Sequence, residues 1–451
     1  MLIQLAAADP VAARSQMGFS LGWHIVLACF GVGLPGLVLF AEWRGIRTSD
    51  VCYRLLARRW AKALGLLFAV GAVSGTIVSI EMGVLWSGLM SRWGEVIGLP
   101  FAIEGIAFFI EAIFLGIYLY GWDRLPPRVH LWSGVPIFVA GLCSAFFVVS
   151  ANAWMNTPTG YTIRDGKIAN VDPWAAMFNP ATGPETVHMI LAALMVTAFG
   201  TASVYAVAML RGRRDRYHRL GLIMPLTIGA ILAPLQIAAG DWGARTVAAH
   251  QPVKLAAMEG LAKTTNGAPE ALGGIFYDGS LHYAIKIPDG LSLLTRLNPH
   301  ATIAGLDSVP ANDRPPLVTL VHWSFDAMVA IGFGLLALGA WLAWSWWRRR
   351  EFPRTSWFLR AVAVSGVATV IATELGWITT EVGRQPWIVY RVLRVANAVN
   401  PEPGIQYGFW AVVGIYAILT VVTVAVLRHM TRSVPVPLEP QPADVESYRV
   451  T

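Results

Sequence analysis

Nine ionisable side chains interrupt long apolar stretches of this 451-residue chain: His24, His188 and His322, with Glu81, Glu104, Glu111, Glu374, Glu381 and Asp326. An ionisable group in hydrocarbon costs about 2.5–3.5 kcal/mol even on insertion scales, so each asks for a reason. The residue types suit iron and proton chemistry. His and Met are soft axial ligands for haem, and a His/Met pair raises the potential of a low-spin iron. A single His or Glu beside an open sixth position suits dioxygen. Glu104 and Glu111 are seven residues apart, two helical turns, and so share a face; Glu374 and Glu381 repeat the spacing around Trp377. Paired carboxylates on one face carry protons, or one of them ligates a metal. A bland reading stands beside each: a helix–helix hydrogen bond for the His, ordinary packing for a Met, an ion pair with Arg384 for a Glu. Spacing alone does not choose.

These residues need helices to carry them. Charged residues make up 14% of the chain, against about 25% in a soluble globular protein, and mean hydropathy is +0.55. So few charges cannot cover a water-facing surface, which excludes a soluble enzyme. A bilayer core asks for about 20 mostly apolar residues per helix. Nine runs qualify, at roughly 18–41, 62–84, 98–121, 130–151, 186–209, 219–240, 323–347, 357–380 and 404–427. Strands are not expected, because period-2 alternation is absent and lipid tolerates only helices or closed barrels. The expected fold is all-α and polytopic, with about nine transmembrane helices bundled around haems.

Basic residues set the orientation. Arg44, Arg47, Arg54, Arg58, Arg59 and Lys62 follow the first span, RGRRDRYHR follows the fifth, and Arg348, Arg349, Arg350 and Arg354 follow the seventh. These connectors lie on one side, which the positive-inside rule makes the cytoplasm. The N-terminus is then outside and the C-terminus inside. The net charge of +7 is thereby explained by topology, without nucleic-acid binding. The outer connectors are 85–97, 152–185, 241–322 and 381–403. The third is too polar to span and long enough for a functional loop. The start of the chain lacks the basic and apolar regions of a cleaved signal peptide. The tail 433–451 is Pro-rich and expected to be disordered. Three Cys without CxxC or CxxCH give no disulfide framework, iron–sulfur site or covalent haem. With this orientation, His24, His188, Asp326, Met328, Glu104, Glu81 and Glu381 fall into one outer-leaflet layer. Random insertion of polar residues would not favour one layer.

Several motifs add specificity: TTEVGRQPW ending at Trp387, the run Gly98–Leu125, GWH at 22–24, ANAWMNTP at 151–158, KLAAMEG at 254–260 and FDAMVAIG at 325–332. Together, from about residue 15 to 427, they resemble subunit I of the cytochrome bd quinol oxidases. The resemblance implies that His188 and Met328 are the axial pair of a low-spin haem b. It implies that His24 ligates one of two high-spin haems and Glu381 the other. Which of these is the high-spin haem b and which the haem d chlorin, or a further haem b in its place, stays open. Glu104 corresponds to a carboxylate beside the dioxygen-reducing haem, and Glu111 to a proton-path carboxylate. Glu81, Trp377 and Arg384 correspond to other haem-pocket positions. Lys254 and Glu259 correspond to the quinol-binding pair of the outer loop; as an isolated pair they would read as solvated charges. The implied function is oxidation of ubiquinol or menaquinol at the outer face and reduction of dioxygen to water, electrogenic without proton pumping. The implied setting is the bacterial inner membrane, beside a second membrane subunit, with a small single-span subunit left open.

Two departures bear on this. Asp326 stands where many members have Arg, which should lower the low-spin haem's potential or alter propionate pairing. The loop after Glu259 is short, as in the short-loop class. Lys254 and Glu259 are five residues apart, about 140° on a helix, so a bent or partly ordered segment is expected, its side chains converging on substrate. A cytochrome b with two His pairs or a haem–copper oxidase would need more His than the spans supply. A transporter would show inverted repeats.

Overall fold

The computed structural model describes residues 10–432 except 354, 401 and 403. The tail expected over 433–451, and Arg354, lie outside the described residues. Twelve α-helices follow in order: α1 Pro10–Thr48, α2 Val51–Leu85, α3 Ser87–Gly121, α4 Pro127–Asn156, α5 Pro173–Met177, α6 Thr182–Leu210, α7 Arg216–His250, α8 Pro252–Met258, α9 Gly290–Arg296, α10 Val318–Arg349, α11 Ser356–Gly383 and α12 Ile405–Arg432. Among the described residues nine of these, all but α5, α8 and α9, are long and apolar enough to cross a membrane. The protein is a multi-pass helical membrane protein.

Local chemistry starts several of these helices. The carboxylate of Asp50 accepts from Cys52 N–H ahead of α2, Asp215 from His218 N–H ahead of α7, and the Thr355 hydroxyl from Phe358 N–H ahead of α11. Prolines inside α1, α3, α4 and α7 are tolerated because neighbouring helices and local adjustments satisfy the freed carbonyls. Two packing groups emerge. One is α6, α7, α10 and α11; the other is α1 with α2, α4 and α6, and α3 against α4. The main core runs through both, with Leu56, Leu64, Phe199, Leu226 and Phe358 fully buried.

The helices outrun the apolar runs. α2 and α3 meet at a single residue, Trp86, so the expected connector 85–97 is helical. α7 continues to His250, which shortens the large connector from its start.

The expectation of no strands holds for the spans and fails for the connectors. Short antiparallel pairs join Thr162–Arg164 to Lys167–Ala169, Thr265–Asn266 to Thr302–Ile303, Glu270–Leu272 to Ile285–Ile287, Ile275–Tyr277 to Ser280–His282, and Trp387–Val389 to Leu393–Arg394. Two of these hairpins turn on Asp165-Gly166 and Asp278-Gly279, where both residues have positive φ, the two-residue turn matched to strand twist.

The large loop has a core of its own. Val253, Ala256, Ala257 and Met258 of α8 pack with Leu306, Val318 and Val321, while Leu255 joins Ala248, Ala268, Leu291 and Ile303. The segment carrying Lys254 and Glu259, expected to be bent or partly ordered, is a short docked helix that stops at Met258, just before Glu259.

Candidate active site at the loop end

The histidines separate by what their nitrogens are already doing. His322 lies between two carbonyls: Nδ1 is 2.6 Å from Met258 O and Nε2 is 2.8 Å from Gly273 O. Both nitrogens are committed, so His322 ties the loop to α10 and has none left for a metal. His130, nearer the basic end, is likewise closed between Glu42 and the Tyr118 carbonyl.

His24 is different. Its Nδ1 is 2.8 Å from Ser74 Oγ, and that hydroxyl gives its proton to Gly71 O at 2.9 Å. Ser74 can then only accept, so His24 Nδ1 carries the hydrogen and Nε2 keeps a free electron pair. Gly75 gives the ring room: a Cβ there would stand 3.2 Å from Cε1. One turn before His24, Ser20 joins Gln16 in donating to Glu81 Oε1, each at 2.9 Å, and Glu81 Oε2 is buried without a partner. Trp377 and Glu374 of α11 lie against Gly18 and Gly22 of α1, and Glu374 Oε1 is also buried and unpartnered.

His188 and Met328 lie on α6 and α10, both members of one packing group. The His188 ring faces Gln236 and Gly240 of α7, with Gln236 Nε2 at 3.3 Å from Nδ1 and 3.2 Å from Nε2. The Met328 sulfur sits over Gly376 of α11; a Cβ there would lie 2.9 Å from Sδ and would push the sulfur aside.

Glu381 ends α11 with both oxygens engaged. Oε1 accepts from Asn152 at 2.7 Å and Oε2 from Arg384 at 2.5 Å. A carboxylate has about four lone-pair sites, so one can still face a metal. Arg384 also donates to Asn156 Oδ1 at 3.0 Å, and Lys254 Nζ donates to the same oxygen at 3.0 Å. Asn156 Nδ2 gives its hydrogens to Asn152 Oδ1 and Glu185 Oε1, so every polar site of this fully buried amide is used. Lys254 is thus wired to the Glu381 end of α11. Burial first, and the Arg384 charge second, push its ammonium below the ordinary lysine range.

Glu259 points elsewhere. Burial, then Glu270 and Asp326, push its carboxyl well above the usual range, and Oε2 has no partner. Glu270 is raised to about 6, first by burial and then by Asp326. Asp326 Oδ2 accepts from Gly273 N–H at 2.6 Å and lies 3.5 Å from His322 Nε2, so this unusual carboxylate helps anchor the loop. Lys254 and Glu259 therefore belong to two adjoining clusters. A cavity of about 740 Å³ opens where the loop meets the start of α10, lined by Phe276, Arg314, Leu320 and Trp323 among others and by none of these carboxylates.

Glu104 and Glu111 follow α3 inward from this end. Ser144 Oγ of α4 donates to Glu104 Oε1 at 3.0 Å, and Glu111 is buried against Gly141. The sequence reading did not single out Ser74, Ser144, Asn152, Asn156, Glu185, Gln236 or Glu270. Asn152 and Asn156 were visible as an i, i+4 pair in ANAWMNTP, and Gln236 and Gly240 as another; the rest carried no local signal.

Among the described residues no three His, Cys, Asp or Glu are grouped as for a bare metal ion. Donors present themselves singly or in pairs beside glycine clefts and orphaned buried oxygens. That donor set fits iron already held by four porphyrin nitrogens.

Comparison with known proteins agrees. The family model described as cytochrome bd terminal oxidase subunit I matches residues 12–435. A Bacillus subtilis protein named putative cytochrome bd menaquinol oxidase subunit I is 38% identical, covering 95% of this chain and 98% of its own length. An Escherichia coli cytochrome bd-II ubiquinol oxidase subunit 1 is 26% identical over 93% of this chain and 96% of its own. The structure of a bd oxidase from Geobacillus thermodenitrificans superposes with a TM-score of 0.89 at 36% identity, covering 95% of this chain and all of that one.

Proposed function

Because this chain belongs to the cytochrome bd terminal oxidase subunit I family, we propose that it is the haem-bearing subunit of a quinol oxidase whose chemistry sits at the loop end. It is an oxidoreductase of electron transport that takes quinol as its substrate. The observation that carries the site assignment is the nitrogen accounting of its histidines. His24 keeps a free pair and His188 meets only an amide, while His322 and His130 are closed.

His188 with Met328 would hold the low-spin haem b, and His24 and Glu381 the two high-spin haems, a haem b and a haem d or second haem b. Bound there, these groups would take electrons from quinol one at a time and pass them to dioxygen. The chain's own residues do the rest. Lys254 holds one quinol oxygen and Glu259 takes the proton from the other, each prepared by its cluster. Arg384 and Asn152 hold the Glu381 carboxylate in place, and Ser74 fixes the His24 tautomer. Glu111 and then Glu104 hand protons from the cytoplasmic side toward the loop end along one face of α3. The loop end faces outward, with the N-terminus outside and the C-terminus in the cytoplasm of a bacterial inner membrane. Protons released outside and consumed from the cytoplasm separate charge without pumping. A second membrane subunit covers the exposed apolar flanks, as names of the form subunit I imply.

The test is a reduced-minus-oxidised spectrum with oxygen uptake on ubiquinol and menaquinol analogues. Co-expression with a second subunit should give b-type and chlorin or additional b bands and quinol-dependent uptake; this chain alone should be deficient in high-spin haem. A colourless complex would refute the reading.

A further inference from the structure

Gln236 is used by nothing above, yet it is the polar side chain that meets His188. α7 sets Gln236 and Gly240 one turn apart, and the imidazole lies against both. The amide shows the ring its Nε2, while Oε1 is buried with no partner. This pairing suits a free imidazole, which has a lone pair to accept with. It does not suit a ligated one. Once one ring nitrogen gives its pair to iron, the other is an N–H that can only donate, and an amide NH2 offers it no acceptor.

Rotating the carboxamide by 180° exchanges its two ends within the same volume. Gln236 Nε2 is almost equidistant from the two ring nitrogens, so the oxygen that replaces it faces the ring between them, and a turn of the imidazole about its Cβ–Cγ bond aims the remaining N–H at it. The NH2 moves to where the oxygen was unpartnered, so one end of the amide stays unpaired as before, and the bond the amide makes is now one a ligated ring can enter.

We infer that Gln236 is the positioning residue of His188: its carboxamide oxygen accepts the imidazole N–H left by iron ligation, fixing the ring's tautomer and setting how strongly the ligand donates to the iron. This rests on the reading of His188 as an iron ligand. Such a partner both orients the ring and raises ligand basicity. A stronger acceptor favours ferric iron and lowers the potential; loss of the acceptor raises it.

The experiment is a redox titration of the low-spin haem in the assembled oxidase. Gln236→Leu should move the midpoint up and Gln236→Glu should move it down. Each shift should change the reduced-to-oxidised ratio at a fixed potential by about tenfold, or about 59 mV for a one-electron couple. A purely packing role would not give opposite signs, so shifts of one sign, or none, overturn the inference. In the wild type, pulsed EPR of the oxidised low-spin centre reads the quadrupole coupling of the remote imidazole nitrogen without any substitution. A coupling typical of N–H bonded to a carbonyl supports the inference, and that of an unbonded N–H overturns it. His188→Leu separates the two claims. If its low-spin signal persists, the ligand reading falls; if it is lost while Gln236 variants match the wild type, only the role of Gln236 falls.

Discussion

Lys254 and Arg384, one in the large loop and one just past the end of α11, donate to a single oxygen, Oδ1 of Asn156, each from 3.0 Å. Two cations brought this close need compensation, and Glu185 and Glu381 supply it on either side. Asn156 is thus the joint between the large loop and a haem-ligand candidate. Asn156→Leu should strip both cations of their acceptor, at about 1–3 kcal/mol for each buried donor left unpaired. We expect a lower thermal midpoint, a raised KM for quinol and a disturbed high-spin spectrum together. A wild-type KM in that variant would show that the joint does not matter to substrate.

The Met328 sulfur rests in the cleft left by Gly376. Met328→Leu fills similar volume but offers no lone pair, so the low-spin haem should become five-coordinate. Optical spectra should then show a high-spin band replacing the low-spin one. An unchanged low-spin band would remove Met328 from the ligand set.

Glu111 is buried while Glu104 is tied to Ser144 near the loop end. Glu111→Gln should slow turnover several-fold with haem content retained, because a carboxamide cannot exchange the proton. Glu104→Gln should instead alter the high-spin spectra. Full oxidase activity in Glu111→Gln would exclude its proton role.

The shifts of the loop pair in opposite directions predict an acid and a basic limb in the pH dependence of quinol oxidation. Glu259 is a base only when ionised, and burial with Glu270 and Asp326 keeps it protonated well past the usual carboxylate range. Quinol oxidation should therefore rise with pH through that raised value. In the proposed role Lys254 holds quinol as an ammonium, which burial and Arg384 weaken, so KM should climb with pH below the ordinary lysine range. Glu259→Gln should lower activity and flatten the acid limb. Lys254→Arg, always charged, should push the basic limb upward. Profiles that keep both limbs would assign the titrations to other groups.

The helices were legible because nine stretches are too apolar for anything else, and basic residues marked their shared end. The candidate ligands were legible because His24, His188 and Glu381 are costly where they stand. Their partners were not. Ser74, Asn156 and Gln236 gain meaning only once α2, α4 and α7 are placed beside α1, α11 and α6, and no spacing within one helix reports that. The hairpins are another matter. Asp-Gly at 165–166 and 278–279 is a turn signal readable in the sequence, but the strands that flank it have three residues each, too few for an alternating pattern to show.

The His322 crosspiece has a consequence for how this loop could change length. It fastens the chain at Met258 and at Gly273 to one residue of α10. Residues between those two points are held at both ends and include the buried Ala268 and Ala271, so an insertion beside either would have to break a buried contact. Beyond Gly273 the constraint is weaker. The turn at Asp278-Gly279 projects from its strand pair, and a Cβ built at Gly279 meets nothing within 4 Å. Lengthening a flexible tip costs only about 0.6 kcal/mol per doubling. Extra sequence should therefore be tolerated at that tip and rejected between 258 and 273, so that growth of the loop leaves Lys254 and Glu259 where they are.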